Sequence, residues 1–567
     1  MAPIAESRRT RAPLAAISLF AAAPMLYMAV NQRLDYDSWW HVFIAREAPW
    51  AHFWRDVYIN AHPPVFYLLL RAAAEFGSHR LVYRSLSIVA AVVATYVIGR
   101  IATRVFRTPI LSLPCALAFG LAMTTVTLAC AVRSYMLAVA LLLIAFRTYL
   151  DLIDPGHGTI ATKTRVVFAA ALIGAITTHY SAIFFFCAAA TVPCLYSAVD
   201  GRYRMWWRER LRTRWTAEIA TLIPIAAVVV AVYFAHLFQF RDPMPHVLRF
   251  FPDRSEAAAG LLAGSGSFFA RSMVAEIDLF SPFPIAGLRP TTDAVVLSLF
   301  AMIAIGLVLT LHRRSDWVVA LTPIATLAVL ATAIMGASLL GRYPFGGALH
   351  HQFILFPFIV LSIFALVDEI VARSHHEWVA LAAVSAVVFL NGVVQWRLVR
   401  FVDDEPAARE LATFDRYFGD SRAVYVDQTN LIYFFAGHHR SMWLAQSGLG
   451  AKFDALPVID AQRTLLVLRD TKRWNSDLAD RELYGDLRQV IALTQVPSVD
   501  LFWLSRDAQL PSPPSRLERV QLAESFVGLA DREGLRVERL VLDGSHLYGR
   551  LRLDGDDTRM REAGDGR

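Results

Sequence analysis

The chain has 567 residues, with 55 Lys and Arg against 48 Asp and Glu, for a formal charge of +7. Apolar residues make up 56% of it and charged residues only 18%, against roughly 45–50% and about 25% in soluble domains. With a mean hydropathy of +0.43, these values exclude a disordered chain, a disulfide-stapled miniprotein and an ordinary cytosolic enzyme. Cys115, Cys130, Cys187 and Cys194 all lie inside apolar runs, which predicts neither a disulfide framework nor a zinc site.

A bilayer core about 30 Å thick needs about 20 mostly apolar residues per helix. Arg8, Arg9 and Arg11 precede the first such run, residues 14–29. It reads as an uncleaved anchor, because no small-residue cleavage site is followed by a polar start. A long loop, residues 31–80, comes next. Within it residues 63–76 are apolar but short and open on two prolines, which suits a helix at the membrane surface better than a span. Further runs fall at 81–101, 110–130, 135–150, 166–178, 182–198, 219–240, 294–311, 317–340, 353–371 and 378–394, giving about eleven spans. The predicted fold class is thus a polytopic α-helical membrane domain over residues 13–397.

Placing the N-terminus in the cytoplasm puts Arg100, Arg104, Arg107, Arg147, Lys163, Arg165 and the His312-Arg313-Arg314 loop inside. The segment 202–214, with six arginines against one glutamate, falls on the same side and reads as a topology signal. An odd number of spans leaves everything after about residue 397 outside. There the composition changes. Strand-like runs at 423–426, 465–468 and 501–504 alternate with helix-like stretches at 430–436 and 477–487, and residues 536–542 and 546–553 suit a hairpin around Asp543-Gly544-Ser545. This predicts an extracytoplasmic α/β domain over residues 398–553. The charged tail, 554–567, is expected to be disordered.

That topology gathers the unusual polar residues on the outer face. The first loop opens Asp35-Tyr36-Asp37-Ser38-Trp39-Trp40, two carboxylates beside interfacial tryptophans, a pattern suited to acid/base or metal work at a lipid substrate. His62 precedes Pro63-Pro64, whose fixed backbone holds it in place. Arg84 opens the second run, Arg133-Ser134-Tyr135 the fourth, and His179-Tyr180 joins the fifth to the sixth. Ionisable groups at membrane depth are costly and mark function. Asp427-Gln428-Thr429-Asn430 reads as a helix cap, and the pairs His350-His351 and His438-His439 read as unlikely metal ligands.

The order of these motifs resembles the GT-C membrane glycosyltransferases, and within them the family-39-like protein O-mannosyltransferases and lipid A aminoarabinose transferases. The resemblance covers residues 14–240 and, more loosely, 342–361, where Arg342-Tyr343-Pro344-Phe345 leads to His350-His351-Gln352. It implies transfer of one sugar from a polyprenyl-phosphate carrier to a lipid, glycan or protein acceptor, with inversion and without nucleic acid or a nucleotide donor. The family's catalytic acid falls on Asp37. Ser38 stands where a glutamate is common, and Asp35 supplies the second carboxylate, so either could be the base, with Asp37 favoured. Phosphate contacts fall on His62, Arg84 and Arg133, with His179, Tyr180 and Tyr343 lining the same cavity. His62 stands where some relatives have lysine. No cofactor is required by this reading, although a divalent cation (Mg or Mn) bridging Asp35 or Asp37 to phosphate is compatible with it. The rival reading is a multi-pass transporter or lipid flippase. That class places charges near the midplane of broken helices in two related halves, whereas here they collect at one face. An Ala- and Arg-rich composition suggests a GC-rich bacterium and its inner membrane.

Overall fold

The computed structural model describes residues 8–46, 50–59, 62–77, 79–156, 160–240, 314–340, 342–343, 349–372, 405–418, 423–426, 442–447, 464–469, 498–504, 526–532, 534–543 and 546–553, with scattered positions at 308, 312, 378–389, 488 and 524. Two compact units emerge: residues 1–33 with 44–402, and residues 34–43 with 403–567.

The first unit is helical. Its elements are α1 (Arg8–Asn31), the end of α2 (Tyr36–Arg46), α3 (Trp50–Ile59), α4 (Pro64–Ala74), α5 (Arg80–Val105), α6 (Ser112–Leu121), α7 (Met123–Cys130), α8 (Tyr135–Ile153), α9 (Thr162–Thr178), α10 (Ala182–Val199), α11 (Gly201–Ala235), α12 (Trp317–Leu339) and α13 (Phe356–Val371). Among the described residues six of these are long and apolar enough to cross a membrane: α1, α5, α8, α10, α11 and α12. The pair α6–α7 makes a seventh if it counts as one span bent by 50°. The apolar run at 110–130 is therefore not one straight helix. Ala122 leaves the helical region at ψ 138°, which ends α6 and starts α7. The expected spans at 166–178 and 353–371 are present as α9 and α13, at 17 and 16 residues. Those expected at 294–311 and 378–394 lie largely outside the described residues. α4 is an apolar helix too short to span, as its length and paired prolines predict.

Small residues let the helices approach closely, as is usual where lipid removes the hydrophobic drive between them. A methyl group at Gly120 of α6 would lie 2.7 Å from the Ala21 side chain and 2.9 Å from that of Thr95, so α1, α5 and α6 meet there nearly backbone to backbone. α8 is the most enclosed of the six spans and α11 the least.

The second unit carries a six-stranded sheet with strand order β2-β3-β1-β4-β6-β5. Its strands are β1 (Ala423–Val426), β2 (Met442–Ser447), β3 (Thr464–Arg469), β4 (Val499–Leu504), β5 (Leu535–Asp543) and β6 (His546–Leu553). β2, β3, β1 and β4 run parallel, and β6 returns antiparallel to both β4 and β5. The predicted strands and hairpin are all present, and β2 is an addition. On the β4–β6 rung, buried Asp500 receives two hydrogen bonds from Arg550 at 2.7 and 2.8 Å, a bidentate pairing that fixes register. α14 (Glu405–Phe418) packs Phe414 against Tyr548 of β6. The stretches 430–436 and 477–487, the tail 554–567, and the motifs at 427–430 and 438–439 lie outside the described residues.

Candidate active site

Polar contacts sort the helix ends of the first unit into two opposite groups. One group holds the start of α5, the α7–α8 connection, the α9–α10 turn, the end of α11 and the segment before α13. That is where the sequence-predicted residues meet.

Arg84 sits one turn into α5 and is only 2% exposed. Its Nε donates to the Cys130 carbonyl at 2.5 Å, Nη1 to those of Ala29 and Gln32 at 2.7 Å each, and Nη2 to that of Arg33 at 2.9 Å. Four of its five N–H groups are thus spent on carbonyls at the C-terminal ends of α1 and α7, where a positive charge offsets the helix dipole. These bonds fix where the first loop leaves the bundle. Ser87, three residues on, donates to the Arg133 carbonyl at 3.1 Å. The Arg-x-x-Ser spacing on one helix face therefore clamps both ends of the Cys130–Arg133 connection to α5.

Held by that clamp, Arg133 is buried and donates from Nη1 to the Tyr135 hydroxyl at 2.9 Å. The Tyr135 ring lies 5.3 Å from His179 and 6.3 Å from His62, and the two imidazoles are 5.5 Å apart. Phe353 closes the group at 4.8 Å from His179 and 5.0 Å from Tyr135. The Ser181 main-chain N–H donates to His179 Nδ1 at 3.2 Å, and the Ser181 hydroxyl lies 2.8 Å from the same nitrogen. Residues from four connections, drawn from positions 62 to 353 of the chain, thus form one cationic and aromatic cluster.

Tyr180 points elsewhere. Its hydroxyl bonds Nδ1 of His236, whose Nε2 donates to the Tyr58 carbonyl at 2.7 Å. One donor and one acceptor are both used, as a neutral imidazole requires. Burial lowers the His236 pKa, against the pull of the Tyr58 and Val57 carbonyls. Burial likewise raises the pKa of the Tyr180 phenol. His236 was not legible in the sequence because it ends an apolar run at 219–240, whereas the helix stops at Ala235. Tyr343 packs on Phe184 of α10 at 5.3 Å and donates to the His351 carbonyl at 2.8 Å. Arg46, at the end of α2, donates to the buried Tyr83 hydroxyl at 2.9 Å. It is a further cation that the motif search passed over.

In residues 34–43, Asp35 caps α2: its Oδ1 accepts the Ser38 N–H at 2.8 Å and its carbonyl accepts that of Trp39 at 3.0 Å. Asp37 is exposed in the first helical turn, and its carbonyl bonds Nδ1 of His41 at 2.7 Å. Among the described residues no three His, Cys, Asp or Glu side chains come together as a metal site.

The other end of the unit is held by ion pairs. Arg104 of α5 reaches Asp154 after α8. Arg165 and Arg210 share Glu218 at 3.0 and 2.8 Å. Buried Asp368 of α13 accepts the N–H groups of Arg107 and Thr108 at 2.8 and 2.9 Å, with Arg314 at 3.6 Å. Burial would raise the Asp316 pKa, but the hydrogen bond and charge of Arg314 hold it below the usual carboxylate range. Several residues that read as bare topology signals are thus paired with acids.

The arrangement has a counterpart among solved structures. ArnT from Cupriavidus metallidurans bound to undecaprenyl phosphate superposes with a TM-score of 0.52 at 13% identity, over 95% of this chain and 97% of that one. The chain adopts the GT-C fold. The same protein in its apo state gives 0.44 at 14% identity, with the same coverage. No known family pattern matches the sequence, and no curated protein matches it. At such identity the likeness concerns the fold of a membrane-spanning chain.

Proposed function

We propose that this chain is a membrane glycosyltransferase, moving a hexosyl or pentosyl unit from a polyprenyl-phosphate donor to an acceptor on the extracytoplasmic face. The observation that carries the reading is the Arg133–Tyr135–His62–His179 cluster at one end of a GT-C helical unit. A phosphate ester at a membrane boundary needs a buried guanidinium and further donors, and these residues supply them. ArnT, which shares the fold, has been seen with undecaprenyl phosphate, a carrier of the class proposed here.

In the proposed reaction the acceptor oxygen attacks the anomeric carbon while the bond from that carbon to the phosphate oxygen breaks. Asp37 takes the acceptor's proton. The departing phosphate keeps the bonding electrons, and Arg133, with His62 when protonated, balances the charge it gains. One in-line displacement gives inversion. Arg84 acts through the backbone, holding the Arg33 carbonyl.

The test is Asp37→Asn in the purified full-length protein, reconstituted with a synthetic polyprenyl-phosphate sugar and an acceptor extract. Turnover is expected to fall by about 10³ or more while the melting temperature and donor binding stay unchanged. Full activity in this variant would move the base elsewhere. Sugar crossing the bilayer without bond cleavage in the unmodified protein would make it a transporter.

A further inference from the structure

α11 is two helices joined at Arg214, where φ −132° and ψ 21° break the helical geometry. The first segment, residues 201–213, holds most of the arginines that the sequence presents as a topology signal. The second contains the most exposed window of any span among the described residues, 11% buried against 33–67% for the others. Its exposed residues include Ile219, Leu222, Ile223, Val230 and Phe234.

The arginines of the first segment are not alike. Arg210 is buried against Trp207 and bound to Glu218. Arg204 is exposed but donates to the last carbonyls of α10, Ser197 and Ala198. Arg208 and Arg212 are exposed and have no ion-pair partner among the described residues. Arg204, Arg208 and Arg212 follow at intervals of four, so their guanidinium groups line one helix face about 6 Å apart. Met205 and Trp215, both more than half exposed, flank that line. On the inner side Tyr203, Trp206 and Trp207 gather with Trp317 in one aromatic cluster, the composition of a membrane–water boundary.

A helix with an arginine row bordered by exposed apolar side chains, joined at a kink to a lipid-facing span, has the makeup of an interfacial element. Topology alone requires positive charge near the end of a span. It does not require the charges to share one outward face with Met and Trp beside them. We propose that the outward face of residues 201–213, carrying Arg204, Arg208 and Arg212, is a docking surface for the headgroups of anionic phospholipids in the leaflet at that end. Arg208 and Arg212 each take a phosphate oxygen pair and Arg204, held on the α10 carbonyls, adds its charge, while Met205 and Trp215 enter the acyl boundary and keep the segment at headgroup depth.

The experiment uses the full chain in mixed micelles containing equal phosphatidylglycerol and phosphatidylcholine, with bound lipid counted by native mass spectrometry. Wild type is expected to retain phosphatidylglycerol at least ten-fold over phosphatidylcholine. R208Q/R212Q is expected to bring retention of the two lipids to within about two-fold of each other, and R208K/R212K to keep most of the preference. Raising salt from 0.05 to 0.5 M should erode the preference of the wild type itself, which tests the idea without any variant. Equal retention of both lipids by the wild type, an unaltered preference in R208Q/R212Q, or a preference indifferent to salt each overturns the assignment.

Discussion

Replacing Arg84 with methionine keeps most of the side-chain volume and removes the four hydrogen bonds that tie α1 and α7 to α5. Polar contacts between membrane helices average about 0.6 kcal/mol, which sets a floor of about 2.4 kcal/mol for four of them. Charge-assisted bonds in water-soluble proteins reach about 3 kcal/mol each, which sets a ceiling of about 12 kcal/mol. The loss should fall between these limits, because all four carbonyls belong to helix ends or the turn just beyond and the site is only 2% exposed. Thermal denaturation of the detergent-solubilised chain, followed by intrinsic fluorescence, measures it. Arg84→Lys should recover less than half, since one ammonium cannot reach carbonyls on two sides as a planar fork does. If Arg84→Met melts like the wild type yet binds polyprenyl phosphate far more weakly, Arg84 is a phosphate ligand and the positioning argument fails.

Other outcomes follow from the same contacts. His62→Lys places a permanent cation 5.5 Å from His179 and should tighten polyprenyl-phosphate binding several-fold at neutral pH, measured by lipid titration. His236 has its pKa lowered by burial, so the unfolded chain takes up the proton first as pH falls. Its contribution is complete above about pH 6.5 and is lost as pH drops through the lower folded value. Melting temperature should therefore decline from pH 6.5 to 5, and less steeply in His236→Asn. Asp368→Ala strips the acceptor from two main-chain N–H groups and a buried arginine. It should cost about 3 kcal/mol in denaturation, with Asp368→Asn costing less.

Much of the chain was written in its linear pattern, and the reason is the solvent. In lipid every main-chain group must be satisfied within its own helix, so length and apolarity mark most of the bundle before any packing is known. The strands β1, β3 and β4 and the β5–β6 hairpin were legible for a related reason, since short apolar runs between turn residues have few other uses. Sidedness was legible too: Arg84, Arg133 and His179 stand at helix edges that tertiary contacts bring to one end.

What each side chain does was decided only by folding. Arg84 and Arg133 look equivalent in sequence, yet one spends its donors on carbonyls and the other reaches a tyrosine beside two histidines. Asp35 and Asp37 are two residues apart, and the helix start makes the first a cap and sets the second inside the first turn. Tyr180 turns to His236, 56 residues away; Arg104, Arg165 and Arg314 find acids on or just beyond other helices, and Arg210 finds one across the α11 kink. Periodicity and hydropathy report how a residue meets its surroundings on average. Which donor meets which acceptor depends on how the helices cross, and for these residues that geometry is set by contacts between segments remote in the chain.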